Sequence, residues 1–168
     1  MSDEIVNRVA NSKLITIDLE TFYPEGKRVM LDIAPWLYEG FVLREKEFRQ
    51  HVKDHDWSQY ADCYVSVSCS SEAIIPGWAY LLVSLQLSPY AKKVIVGTSE
   101  DLETVLFSEI IQDLPTEEYR DKPVIIAGCA NKPIPENAYV LLAQKLQPVA
   151  KSIMYGEACS SVPLFKRK

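Results

Sequence analysis

Tyr80 to Gly97 reads YLLVSLQLSPYAKKVIVG, and Tyr139 to Gly156 reads YVLLAQKLQPVAKSIMYG. Aligned without a gap, Tyr80/Tyr139, Leu82/Leu141, Leu87/Leu146, Pro89/Pro148, Ala91/Ala150, Lys92/Lys151 and Gly97/Gly156 coincide. Seven of 18 positions match, where chance would give about one. The match extends upstream. Tyr60-Ala61-Asp62 precedes an apolar run ending at Cys69, and Tyr119-Arg120-Asp121 precedes one ending at Cys129. Pro76 and Pro135 follow, then Ala79-Tyr80 and Ala138-Tyr139. A fixed internal period means one supersecondary unit used twice.

The unit reads as strand, helix, strand. Tyr64 to Ser68 forms a strand, and Pro76 suits the first turn of a helix. Trp78, Leu81, Leu82 and Leu85 recur at helical spacing, and Pro89 ends that helix. Val94-Ile95-Val96 is the returning strand. Thr98 or Ser99 caps a helix over Leu102 to Leu114, with Asp101 and Glu103 in its first turn. Val124-Ile125-Ile126-Ala127 is uninterrupted and apolar, the mark of a strand buried on both faces. The second copy continues with a helix over Asn137 to Leu146 and a closing strand at Ile153-Met154-Tyr155. Strands alternating with helices predict an α/β fold with a mainly parallel sheet built from two tandem βαβ-type repeats. The predicted helix faces bury Trp78, Leu82, Leu85, Leu141 and Leu146, and the strands ending at Cys69 and Cys129 are expected as central neighbours.

Upstream, Leu14 to Leu19 mostly alternates apolar and polar residues and reads as a half-buried strand. Pro24-Glu25-Gly26-Lys27 is a turn signal, and Val29 to Ile33 returns, which predicts a hairpin. Pro35 starts a short helix, and Phe41 to Asp54 reads as a longer one. The expected organisation is an N-terminal α+β subdomain over 1–58 packed on a repeat region over 59–168, whose copies cover about 60–97 and 119–156.

Composition excludes several classes. The 168 residues are 48% hydrophobic and 24% charged, ordinary for a globular domain with a full core. Net charge is −5, and the one cationic cluster is Lys166-Arg167-Lys168, so no nucleic-acid surface is expected. No run of 18 apolar residues occurs, so no membrane span is expected. The first residues, MSDEIVNRVANSK, lack a basic stretch followed by an apolar one, so no secretory signal is expected and the cytoplasm is the default compartment. There four cysteines read as thiols or ligands rather than disulfides.

Ligands of open parallel sheets collect at the carboxyl ends of strands. Cys69 and Cys129 end equivalent strands, and Cys159 follows the last through Gly156-Glu157-Ala158. All three are expected near one sheet edge, whereas Cys63 precedes its strand and lies roughly 20 Å away at ~3.3 Å per residue. Three thiols at one edge are read as ligands for zinc or an iron–sulfur cluster, as small buried hydrophobes, or as redox-active thiols. No local CxxC pair chooses among these. His51 and His55 stand at i, i+4, a spacing that chelates metals but also describes a solvated helix face. His55 and Glu157 are the alternative fourth ligands, and Glu157 is also a candidate general base. Neither a GxGxxG loop nor a Walker loop is present, and Ser70, Ser71, Ser160 and Ser161 lack the setting of a nucleophile elbow.

The segments LREKEFR (43–49), HDWSQY (55–60), CSSEAIIPGWAY (69–80), AGCANKPIPENAY (127–139) and KSIMYGEACSSVPLFKRK (151–168) resemble an uncharacterised bacterial, Bacteroidetes-type family known as domain of unknown function 2480. The resemblance covers the chain from about residue 14 and carries no activity with it. It implies iron–sulfur assembly proteins as partners and an iron–sulfur connection for Cys69, Cys129 and Cys159. Three classes of function stand open: a metal-binding accessory protein, a non-catalytic interaction or scaffold protein with structural cysteines, and a small thiol-dependent enzyme.

Overall fold

The computed structural model describes residues 13–128 and 130–168. Among them are seven strands and four α-helices, in the order β1 (Ile15–Ile17), β2 (Arg28–Asp32), α1 (Glu45–Asp54), β3 (Tyr64–Ser68), α2 (Gly77–Leu87), β4 (Lys93–Val96), α3 (Ser99–Asp113), β5 (Pro123–Ile126), α4 (Glu136–Leu146), β6 (Ser152–Glu157) and β7 (Ser160–Lys166). The fold is α/β and its strand pairs are mainly parallel.

The two similar segments share backbone features at an offset of 59 residues. Asp62 and Asp121 both adopt positive φ, at 60° and 57°. Each then donates its N–H to the chain beyond the following helix, Asp62 to the Tyr90 carbonyl at 3.1 Å and Asp121 to the Val149 carbonyl at 2.9 Å. Lys92 donates to the Cys63 carbonyl at 2.8 Å, as Lys151 does to Lys122 at 2.9 Å. Pro76 and Pro135 are the N-caps of α2 and α4. Gly97 and Gly156, which close the two copies, have φ of 146° and 124°, a backbone region that side chains avoid. An added Cβ would meet Asp101 Oδ2 at 2.5 Å or the Ser160 carbonyl at 2.6 Å.

The two copies lie in separate sheets, not in one. One sheet has the order β2-β3-β4, and the other β1-β5-β6-β7. The strands before Cys69 and Cys129 are therefore each central, β3 between β2 and β4 and β5 between β1 and β6, but they are not neighbours. The expected hairpin does not form either. β1 pairs in parallel with β5, Ile17 beside Ile126, and β2 pairs in parallel with β3, Leu31 beside Val67. Alternation identifies a half-buried strand but does not name its partner. A turn of 3₁₀ helix at Leu19–Phe22 and a long loop separate β1 from β2, not the two residues of a tight hairpin.

These pairings divide the chain into two compact units, Met1–Tyr23 with Leu106–Lys168, and Pro24–Val105. The division drawn at residue 58 falls inside the second, because β2 and β3 are hydrogen-bonded neighbours. In the first unit Ile17, Leu19, Phe107, Val124, Ile126, Leu142 and Ile153 form the centre of the core. In the second, Ile33, Phe48, Val65, Val67, Val83 and Leu87 do so.

The helix faces are also corrected. α2 buries Ala79, Val83 and Leu87, and α4 buries their equivalents Ala138, Leu142 and Leu146. Trp78 and Leu82 pack only partly, as Leu141 does, and Leu85 is 69% exposed. A helix that is apolar on every side does not announce its inner face; the small alanines mark it. α1 begins at Glu45 because Tyr38 and Val42 bridge around a turn at Glu39 and Gly40, leaving Phe41 exposed. β7, unanticipated, returns antiparallel to β6. The capping expectation holds in detail: the Thr98 hydroxyl accepts from Asp101 N–H at 3.1 Å, and Asp101 Oδ2 accepts from Thr98 N–H at 2.7 Å.

Candidate functional site

β2, β3 and the start of α2 bring a carboxylate, a thiol and a phenol to the carboxyl end of their sheet. Asp32 ends β2. Its Oδ1 accepts from the N–H groups of Ala34 and Ser70, both at 3.0 Å, and its Oδ2 accepts from the Ser70 hydroxyl at 2.6 Å. Burial pushes this carboxyl up, but the Ser70 hydroxyl and the two backbone donors outweigh it and hold the group below its ordinary 3.8. Cys69, half-buried, precedes Ser70. Tyr80 on α2 has a raised pKa, through burial first and then the nearby Cys69 and Asp32. Ser71 extends the anchoring by donating to the Gly40 carbonyl at 2.5 Å. Every acceptor of Asp32 named here holds backbone or a neighbouring hydroxyl, so the carboxylate acts as the anchor of the 69–76 loop.

The other sheet repeats this plan with different atoms. Asp18, the residue after β1 and fourteen residues before Asp32, caps a 3₁₀ turn by accepting from Glu20 N–H at 2.8 Å. Glu20 then reaches the loop after β5, its Oε2 accepting from Asn131 N–H at 2.8 Å. The Tyr155 hydroxyl donates to the Gly128 carbonyl at 3.4 Å, and its ring meets Tyr139 edge-on at 5.8 Å.

His55 caps the C-terminus of α1 inside an aromatic box. Its ring centroid lies 4.7 Å from Trp57, 5.1 Å from Trp36 and 5.7 Å from Tyr60. Its Nε2 is 2.8 Å from the Tyr60 hydroxyl. Burial lowers its pKa, partly opposed by Asp56, so the box favours a neutral imidazole. His51 instead stacks on Trp36 at 6.3 Å.

The cysteines do not share one sheet edge. Cys69 follows β3 in the unit 24–105, whereas Cys159 is exposed in the turn joining β6 to β7 in the other unit. Glu157, the last residue of β6, pairs with Ser160 beside that turn. Cys63 is buried ahead of β3, as its place in the sequence implies. Cys129 lies outside the described residues. Among the described residues no group of three or more His, Cys, Asp and Glu side chains is arranged to hold a metal ion, and no helix is long and apolar enough to cross a membrane.

The most unusual surface is on α2. Residues 73–91 contain no Asp, Glu, Lys or Arg. Opposite the buried Ala79, Val83 and Leu87, the helix shows Leu81 and Leu85 at 66% and 69% exposure, and Ile74 just before it is 94% exposed. The equivalent positions on α4 are Val140 and Gln144, flanked by Glu136 and Lys145. Lys145 is used structurally, donating to the Ile111 carbonyl at 2.6 Å and also to Gln112 at the end of α3. The uncharged run was legible in the sequence; its outward orientation was not.

An α/β protein with mainly parallel strand pairs and anchored carboxyl-end loops is the class these features define. The chain belongs to the family described as protein of unknown function, DUF2480, whose model matches residues 3–167. No curated protein and no solved structure matches it.

Proposed function

We propose that this chain is a non-catalytic interaction protein that docks through the outer face of α2. One observation carries the reading. The two copies keep the same buried stripe, yet only α2 has an uncharged outer face with two leucines exposed. α4 serves as an internal control: at the positions of Leu81 and Leu85 it carries Val140 and Gln144, and at that of Gly77 it carries Glu136, so the scaffold does not require a leucine at position 85 or an uncharged outer face. Exposed apolar patches of this kind mark interaction sites. A photo-crosslinking residue placed at position 85 in living cells should give discrete crosslinked products, and one at position 144 should not. No product at 85, or equal products at both positions, would overturn the reading.

A second reading is a cytoplasmic thiolate metal-binding accessory protein serving iron–sulfur assembly, with Cys129 and Cys159 as ligands and Glu157 beside them. It is supported by the pairing of β5 with β6, since Cys129 follows the one strand and Cys159 the other. Anaerobic reconstitution with iron and sulfide should load the wild type and Cys63→Ser but not Cys129→Ser or Cys159→Ser. Equal uptake by all four would end this reading.

A further inference from the structure

We infer that the partner on α2 is a second copy of this chain, in an antiparallel α2–α2 contact about a twofold axis at Leu81. The inference rests on the docking role proposed for this helix. Gly77, Leu81 and Leu85 fall on one side of α2, continued by its C-cap Ser88, all exposed, within about 80° of arc at 3.6 residues per turn. A twofold contact is self-complementary: if residue i meets residue j, then j meets i. With the axis at Leu81, each Leu85 faces the Gly77 of the other copy, four residues to the other side of the axis. A large side chain thus meets an absent one, twice, and Leu81 meets itself. Gly77 has the room: a Cβ added there would meet nothing within 4 Å in its own chain. The α4 face could not do the same, because its matching pair is Gln144 against Glu136.

Charge points the same way. The chain carries a net −5, so two copies repel through most surfaces, and an uncharged helix face is where they can approach without burying like charges. One face of an 11-residue helix is smaller than the ~800 Å² per partner of a standard interface. The dimer is therefore weak and concentration-dependent, and salt, which screens the repulsion between the two net-negative copies, does not weaken it.

Sedimentation velocity of the purified full chain, from micromolar to several hundred micromolar, tests this. The wild type should shift from monomer to dimer, at high salt no less than at low salt. Leu85→Lys and Gly77→Leu should each raise the dimer dissociation constant at least about tenfold. Val140→Lys on α4 should leave it unchanged. Circular dichroism and urea midpoints of the three variants should stay near wild type, since these side chains are exposed. A wild type that remains monomeric throughout, or a dimer that Leu85→Lys and Gly77→Leu do not weaken, would overturn the inference. Crosslinks at position 85 to a different protein would then leave the docking role standing, whereas loss of those crosslinks as well would remove both.

Discussion

Arg28 shows how much a single side chain can fasten. Its Nε and Nη2 hold the two carboxylate oxygens of Glu103 at 2.7 and 3.2 Å, and its Nη1 donates to the carbonyls of Pro24 and Gly26 at 2.5 and 2.8 Å. Glu103 is 7% exposed at its side chain and Arg28 19%, so removing either partner strands a charge that water reaches poorly. Arg28→Ala should cost about 3 kcal/mol in urea unfolding, while the double change Arg28→Met with Glu103→Leu should cost less than Arg28→Ala alone. A double variant as unstable as Arg28→Ala would show that the pair is not the cause. His55 supplies a pH dependence. Its folded pKa lies below the ordinary 6.5, through burial, so the unfolded chain takes up a proton first as pH falls. Its contribution to stability is complete above that ordinary value and is lost below it, down through the folded pKa. Urea midpoints measured from about pH 7 to about pH 5 should fall for the wild type and fall less for His55→Gln.

α4 tests the assignment of inner and outer faces. Leu142 is fully buried and Val140 is 50% exposed, although both are apolar residues on one short helix. Leu142→Ala should destabilise by about 2–5 kcal/mol through lost burial and the cavity left behind. Val140→Ala should stay within about 0.5 kcal/mol. Similar losses from the two would mean that the helix is rotated from the orientation described. The same logic explains why Leu85 was misread. In α2 apolar residues surround the axis, so spacing alone offers several stripes, and only packing selects the one that begins with Ala79 and continues through Val83 and Leu87.

Each unit has its own sheet and its own core cluster. The central strands have hydrogen-bonded neighbours on both sides and buried residues along them: Val65 and Val67 in β3, Val124 to Ile126 in β5. Amide hydrogen exchange should be slowest at these positions in both units. It should be faster in β7, which pairs only with β6 among the described strands and leaves Val162 and Leu164 exposed. Protection concentrated in one sheet alone would argue that only one of the two units is independently well packed.

Local physics made the strand–helix–strand pattern readable. Matched glycines at positive φ, matched prolines ahead of helices and continuous apolar strands are backbone demands, and they leave their mark in adjacent residues. The cap at Thr98 and the burial of β5 were readable for the same reason. Which strands share a sheet was not. β1 lies over a hundred residues from β5, and a three-residue alternation such as Ile15-Thr16-Ile17 carries no address for its partner. Only tertiary packing showed that Asp18 and Asp32, fourteen residues apart, stand at the carboxyl ends of strands that pair alike, Ile17 beside Ile126 and Leu31 beside Val67. The cysteine grouping depended on that missing information: strand polarity brings carboxyl ends together only within one sheet, and β3 and β5 belong to two. The outer face of α2 stood on the same boundary, because its lack of charge is written in residues 73–91 while its exposure depends on which side the core takes.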